Sequence, residues 1–220
     1  MIWPDRTRVK RLFKAVAAPR RILPVCAALV LAVAIMLAWP MDTRPFLALP
    51  ASSELLDRDG RPLYAFLNRD EQWCFPRPMA EISPHLINAT LATEDQRFRM
   101  HPGVDPIAIL RAAASNVRGG EVVSGASTLT MQVAKRGLPP TRSIPGKLRQ
   151  ATAALRLERR VSKDEILETY LNSAPYGLNL VGCEAASLRY FGKPTRELNL
   201  PEAALLAGLP KAPTSYMPLD

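Results

Sequence analysis

A mainly α-helical domain behind one membrane-crossing helix is the fold class this sequence predicts, and three observations predict it. Residues Ile22 to Trp39 run without a charge. From Ser83 onward, helix-start and helix-stop residues recur at helical lengths, and apolar residues repeat on single faces. Strand signals, by contrast, are confined to the stretch between those two regions.

The apolar run is justified first. At 1.5 Å per residue it just crosses a hydrocarbon core of ~30 Å. Pro24 falls in its first turn, where a missing donor is tolerated, and Trp39 marks an interface. Ahead of it stand Arg6, Arg8, Lys10, Arg11, Lys14, Arg20 and Arg21 against Asp5, so +6 of the chain's formal +9 lies there. The positive-inside rule then keeps the N-terminus cytoplasmic and exports the rest. A cleaved signal peptide has the same order of regions, but this run is longer than an h-region and no small-x-small site follows it. The basic pI of 9.9 therefore reflects a topogenic tail, and no nucleic-acid motif accompanies it. The expected organisation is a basic tail over 1–21, a transmembrane helix over 22–40, a stalk over 41–78 and one domain over 79–220.

The stalk is rich in proline, with Asp57-Arg58-Asp59-Gly60-Arg61-Pro62 reading as a hairpin turn. In the domain, Ser83-Pro84 starts a helix that carries Leu86, Ile87, Thr90 and Leu91 on one face up to Glu94. A second helix lies between Asp105-Pro106 and Gly119-Gly120, with Ile107, Leu110, Ala114 and Val117 as its apolar stripe. The third should start near Ser127 as its cap, and the fourth should run from Lys147 to Arg160. Ser162-Lys163-Asp164-Glu165 is a capping box for the fifth, and Asn199-Leu200-Pro201-Glu202 opens the last. Three cysteines make no disulfide framework: Cys26 sits in the span, and Cys74 and Cys183 lack metal or redox spacing and read as small buried residues, with a bridge between them the minor alternative. With His85 and His101 the only histidines, a zinc site has no support.

Four strings carry the chemistry. Glu94-Asp95-Gln96-Arg97-Phe98-Arg99-Met100-His101-Pro102-Gly103 offers a carboxylate at a helix C-terminus, where the ionised form is disfavoured; His101 reads as a brace for the loop. Ser124 to Lys135 offers hydroxyls, an amide and a cation. Thr128, Gln132 and Lys135 fall at i, i+4 and i+7 and would share a face suited to sugar hydroxyls and phosphate, although an ordinary polar face has the same spacing. Gly146-Lys147-Leu148-Arg149-Gln150 follows, then Arg156 to Asn172, and the chain closes on a helix and turn over Ala203 to Pro213.

In order and spacing these strings resemble the peptidoglycan glycosyltransferase domain of class A penicillin-binding proteins over about Leu55 to Asp220. Met131-Gln132, Gly-Lys-x-Arg-Gln and Asn172 to Gly177 are most similar to the 1C branch. The third string departs from the usual Arg-Lys-x-x-Glu, with Gly146 for arginine and Gln150 for glutamate. Ser-x-x-Lys with Lys-Thr-Gly, the penicillin-reactive signature, does not occur.

The resemblance implies a lysozyme-like, mainly α fold and an inverting hexosyltransferase that polymerises lipid II onto a growing glycan strand at the periplasmic face of a bacterial inner membrane. Glu94 would be the general base. Asp95, Ser127, Thr128, Gln132, Lys135, Lys147, Arg149 and Gln150 would bind substrate, the cations meeting the leaving diphosphate. No cofactor is required on this reading; a divalent cation could assist, less so with Gln150 in place of an acid. Other wall-synthesis proteins are candidate partners, and nucleic acid is not. Two rival readings are a lysozyme-like glycan hydrolase, where one glutamate serves as general acid, and a non-catalytic lipid II-binding partner.

Overall fold

The computed structural model describes residues 19–119, 127–141 and 143–211. The chain divides into two compact units, Met1–Pro40 and Met41–Asp220. In the first, α1 is a continuous helix, Pro19–Ala38, with Pro24 inside it. It begins three residues earlier than the apolar run, so Pro24 falls in its second turn rather than its first. Among the described residues no helix is long and apolar enough to cross a membrane, so the span over 22–40 stays a reading of the sequence. Most of the basic tail lies outside the described residues.

The second unit is mainly α. Its elements are α2 (Arg44–Leu47), β1 (Ser53–Leu56), β2 (Pro62–Phe66), β3 (Trp73–Cys74), α3 (Pro84–Glu94), α4 (Pro106–Gly119), α5 (Leu129–Arg136), α6 (Ile144–Leu157), α7 (Lys163–Leu171), β4 (Leu180–Val181), α8 (Cys183–Phe191) and α9 (Leu200–Gly208). β1 and β2 form the expected hairpin, antiparallel with an irregularity at Leu55/Leu56, turning through Gly60 at φ +78°. β3 pairs in parallel with β4, Trp73 opposite Leu180 and Cys74 opposite Val181. Strand structure is therefore not confined to the stalk. A two-residue strand is too short for periodicity to reveal.

The stretch expected to be a stalk contributes to the core. Phe46 and Phe75 are buried in it. Phe46 lies so close to Gly137 that a Cβ there would come within 2.5 Å of its ring. Asn172 fastens the same stretch from the α7 side: its Oδ1 accepts from Arg77 N–H at 2.9 Å, and its Nδ2 donates to the Arg77 carbonyl at 2.8 Å. Cys74 and Cys183 are buried free thiols. Burial pushes the Cys183 thiol up to about 12, with Glu184 adding to it.

α5 lies at the centre, packed between α6 and α7. Its Leu129, Thr130, Met131, Val133 and Ala134 are all buried. Two predicted starts are corrected. Thr128, not Ser127, caps α5, accepting from Met131 N–H. α6 begins three residues before Lys147 and ends at Leu157, because Ser143 caps it by accepting from Gly146 N–H and Pro145 occupies its first turn. The capping boxes at Ser162 and Asn199 form as the sequence indicates. On α4 the packing face is Ala108 and Ala112, while Ile107 and Leu110 are 60% and 69% exposed. The bulkier residues of the expected stripe are therefore turned outward.

Candidate active site

Ser83 caps α3 by accepting from His85 N–H and donating to the Leu198 carbonyl. α9 packs along the helix and Thr93 Oγ1 reaches the Ala207 carbonyl, so the last residue, Glu94, is held in place. Glu94 Oε2 accepts from Gln132 Nε2 at 2.9 Å. Its other oxygen, Oε1, is buried and has no hydrogen-bond partner, a costly state for a carboxylate unless something donates to it.

The loop after Glu94 is fastened throughout. Asp95 leaves helical geometry at φ −158°. Its carboxylate accepts from His101 Nε2 at 3.0 Å and from Leu129 N–H, at the start of α5, at 3.0 Å. Gly103 N–H donates to His101 Nδ1, so Nε2 carries the ring proton towards Asp95. Phe98 is 1% exposed in the core, with Lys163 Nζ 4.4 Å from its ring centroid and also donating to the His101 carbonyl. Arg97 grips both oxygens of Asp105. Thr128 Oγ1 donates to the Gly103 carbonyl at 2.6 Å. Gly103 is at φ +104°, and a Cβ there would meet the Ala154 carbonyl oxygen at 2.7 Å.

Two cavities meet at this point. One of about 260 Å³ is walled by Glu94, Asp95, Arg97, Arg111, Ser127 and Thr128 among others. The second, of about 750 Å³, is walled by Ser127, Gln132, Lys135, Lys147, Gln150 and Tyr170 among others, and its described lining contains no carboxylate. Ser127 lines both, and Gln132 reaches from the larger cavity to Glu94. The Tyr170 hydroxyl is buried without a partner. Burial, and secondarily the Glu94 charge, raise the Tyr170 phenol above its ordinary value, so it stays a neutral donor. A carboxylate with a free oxygen, beside a cavity lined by amides, a hydroxyl and cations, suits proton removal from a hydroxyl next to a departing polyanion.

A family model for transglycosylases matches residues 59–220 of this chain. The chain belongs to that family. It is 42% identical over 180 residues to penicillin-binding protein 1C of Escherichia coli K12, covering 82% of this chain and 23% of that protein. It is 45% identical over 170 residues to penicillin-binding protein 1A of Aquifex aeolicus VF5, covering 77% and 23%. A 2.6 Å crystal structure of penicillin-binding protein 1A from Haemophilus influenzae aligns with 76% of this chain and 15% of its own, at 26% identity and a TM-score of 0.37. The chain thus spans less than a quarter of the length of the curated relatives it matches. The family resemblance carried by the motifs is borne out.

Within this transglycosylase domain the expected site residues divide. Glu94, Ser127, Gln132, Lys135, Lys147 and Gln150 come together around the two cavities. Asp95 and Thr128 line the smaller one but are buried, and their side chains are spent on the loop and on the start of α5. Thr128 therefore does not share an open face with Gln132 and Lys135, because a capping residue lies outside the helical repeat. Arg149 is exposed and does not line either cavity. Ser124 to Ala126 lie outside the described residues. The pattern of residues missed Tyr170 and Arg136. Tyr170 hides in the apolar stripe of α7 with Ile166 and Leu167, and its unpartnered hydroxyl is a property of the packing. Arg136 follows Lys135 and so should point about 100° away on the helix, yet it lines the same cavity.

Gly146 stands where the family usually has arginine, and the structure gives a local reason. A Cβ at Gly146 would come within 2.1 Å of the Thr141 side chain. Thr141 occupies that space and lines the larger cavity.

Proposed function

We propose that this chain is a membrane-anchored peptidoglycan glycosyltransferase that polymerises lipid II, with Glu94 as general base and undecaprenyl diphosphate as leaving group. The observation that carries this reading is the uncommitted Glu94 oxygen beside a cavity whose described lining holds cations and no carboxylate. Glu94 Oε1 accepts the proton of the acceptor's 4-hydroxyl, and the hydroxyl oxygen bonds to the anomeric carbon of the donor. The bond from that carbon to the diphosphate breaks on the opposite face, and the configuration inverts. Gln132 holds Oε2, leaving Oε1 for the substrate.

Lys135 and Lys147 meet the charge that develops on the diphosphate. Gln150 donates from the wall, and Asp95 and His101 position Glu94 without touching substrate. A divalent cation, where used, travels on the diphosphate. The charge-free run from Ile22 to Trp39 with its basic flank supports an anchor in a bacterial inner membrane, the tail cytoplasmic and the domain periplasmic. Lipid II, the glycan strand and other wall-synthesis proteins are then its partners.

Incubation of the detergent-solubilised protein with labelled lipid II tests this. Polymer from the wild type and none from Glu94→Gln is the expected result. Soluble fragments released from finished glycan would mark a hydrolase instead, and lipid II binding without product from the wild type would mark a non-catalytic partner.

A further inference from the structure

The larger cavity contains a third cation that the reaction above does not use. Arg136, the last residue of α5, lines it beside Lys135 and Lys147. Its Nη2 donates to the Ala48 carbonyl at 2.6 Å, and its Nη1 is buried with no hydrogen-bond partner. Every ion pair found among the described residues leaves Arg136 out. Near it lie the Ala48 carbonyl and the buried Cys74 thiol, which is not an anion at neutral pH because burial raises it, and Lys135 and Lys147 line the same cavity. Burial pulls the guanidinium below its ordinary value, opposed only by Cys74. A half-buried guanidinium without a counter-charge is unfavourable unless an anion completes it.

We propose that Arg136 is a diphosphate-binding residue, and that the end of α5 together with the segment around Ala48 forms one wall of a tri-cationic diphosphate site. The inference rests on the functional reading above for the identity of the lipid-linked ligand, not for the anion chemistry. The described lining brings three positive charges and no carboxylate. A single carboxylate ligand would leave two of those charges uncompensated, whereas a diphosphate matches them. The free Nη1 arm presents its N–H groups in a fixed plane and direction, which a rotating lysine ammonium does not.

The fork is aimed by packing. Ala48 directly follows α2, whose Phe46 is pressed against Gly137, the residue after Arg136. The Ala48 carbonyl takes one arm of the guanidinium and leaves the other for the ligand. The segment that leads into the domain is therefore part of the site, and a shift of α2 moves a phosphate-binding group directly.

The test is calorimetric titration of the full chain in detergent with inorganic pyrophosphate, with orthophosphate, and with farnesyl diphosphate in micelles. Arg136→Met should weaken pyrophosphate roughly tenfold or more, the loss of one charge-assisted hydrogen bond. Arg136→Lys should recover part of it. Orthophosphate should bind weakly in all variants. An equal loss for farnesyl diphosphate assigns the site to the lipid-linked ligand, and a loss for pyrophosphate alone assigns it to the free anion. Melting temperatures are measured alongside, because a merely structural arginine would lower them and leave the dissociation constant unchanged.

Wild-type binding of pyrophosphate that Arg136→Met leaves intact overturns the proposal, as does a wild type that binds none. Failure of the functional reading has a different signature: no polymer from lipid II, with Arg136-dependent pyrophosphate binding still present.

Discussion

Asp95→Asn separates a substrate contact from a structural latch, and its size can be worked from the geometry. Asp95 is 7% exposed. One oxygen accepts from His101 Nε2, and the other accepts from Leu129 N–H and lies 3.1 Å from the same His101 nitrogen. Gly103 N–H occupies His101 Nδ1, so the ring cannot change tautomer to accept from the new amide without losing that bond. Asparagine has one acceptor oxygen for two donors. Whichever way it turns, its NH2 faces either Leu129 N–H or the His101 N–H.

The cost of one buried donor left unpaired is about 1–3 kcal/mol. At about 2–4 °C per kcal/mol for a domain of this size, the melting temperature should fall by about 2–12 °C. Thermal melting by circular dichroism, with pyrophosphate titration in parallel, is the assay. The expected result is a lower melting temperature, an unchanged pyrophosphate dissociation constant and reduced turnover, since Glu94 adjoins the loosened loop. An unchanged melting temperature with weakened lipid II binding would refute the latch and return Asp95 to the substrate.

Three further outcomes are expected. Gly103→Ala forces a side chain at φ +104° against the Ala154 carbonyl and should cost at least ~1–3 kcal/mol, read as a lower urea midpoint. Burial pulls the Asp105 carboxyl upward, but hydrogen bonds from Ala108 N–H and Arg97, the Arg97 charge and Ile107 N–H outweigh it and hold it below the ordinary carboxylate range. A lowered folded value means stability that is full above the unfolded value and is lost as pH falls through the lowered one. Melting temperature should therefore drop below about pH 4, and Asp105→Asn should remove that part of the slope. Gln150→Glu adds a carboxylate to the cationic cavity and should raise turnover or its response to Mg²⁺ in the lipid II assay; no change would make Gln150 neutral to catalysis.

Most helices were legible because their ends are written in side chains. Ser83, Ser162 and Asn199 each cap a helix with a partner three or fewer residues away, and short-range chemistry of that kind is readable from order alone. Glu94 was legible because it closes such a helix, and Gln132 because it lies one turn into α5.

What could not be read depends on contacts remote in sequence. Thr128 and Asp95 line the smaller cavity, but their bonds to Gly103 and Leu129 appear only once those partners are placed against them. The β3–β4 pair joins residues more than a hundred apart. The part of 41–78 that enters the core buries Phe46 and Phe75, with Trp73 packed beside Phe75, too few and too scattered to show a periodicity. Arg136 joins the cationic cavity through the Ala48 carbonyl, which no spacing rule brings near it.

The central claim is that Glu94 removes the acceptor proton in a polymerisation whose substrate is held by other groups. The most direct measurement is the initial rate of glycan polymer formed from labelled lipid II by the wild type and by Glu94→Gln, with the lipid II dissociation constant measured on the same preparations. The account predicts a turnover loss of about 10²–10⁴-fold with binding changed little. Glu94→Gln that still polymerises at near the wild-type rate would contradict it.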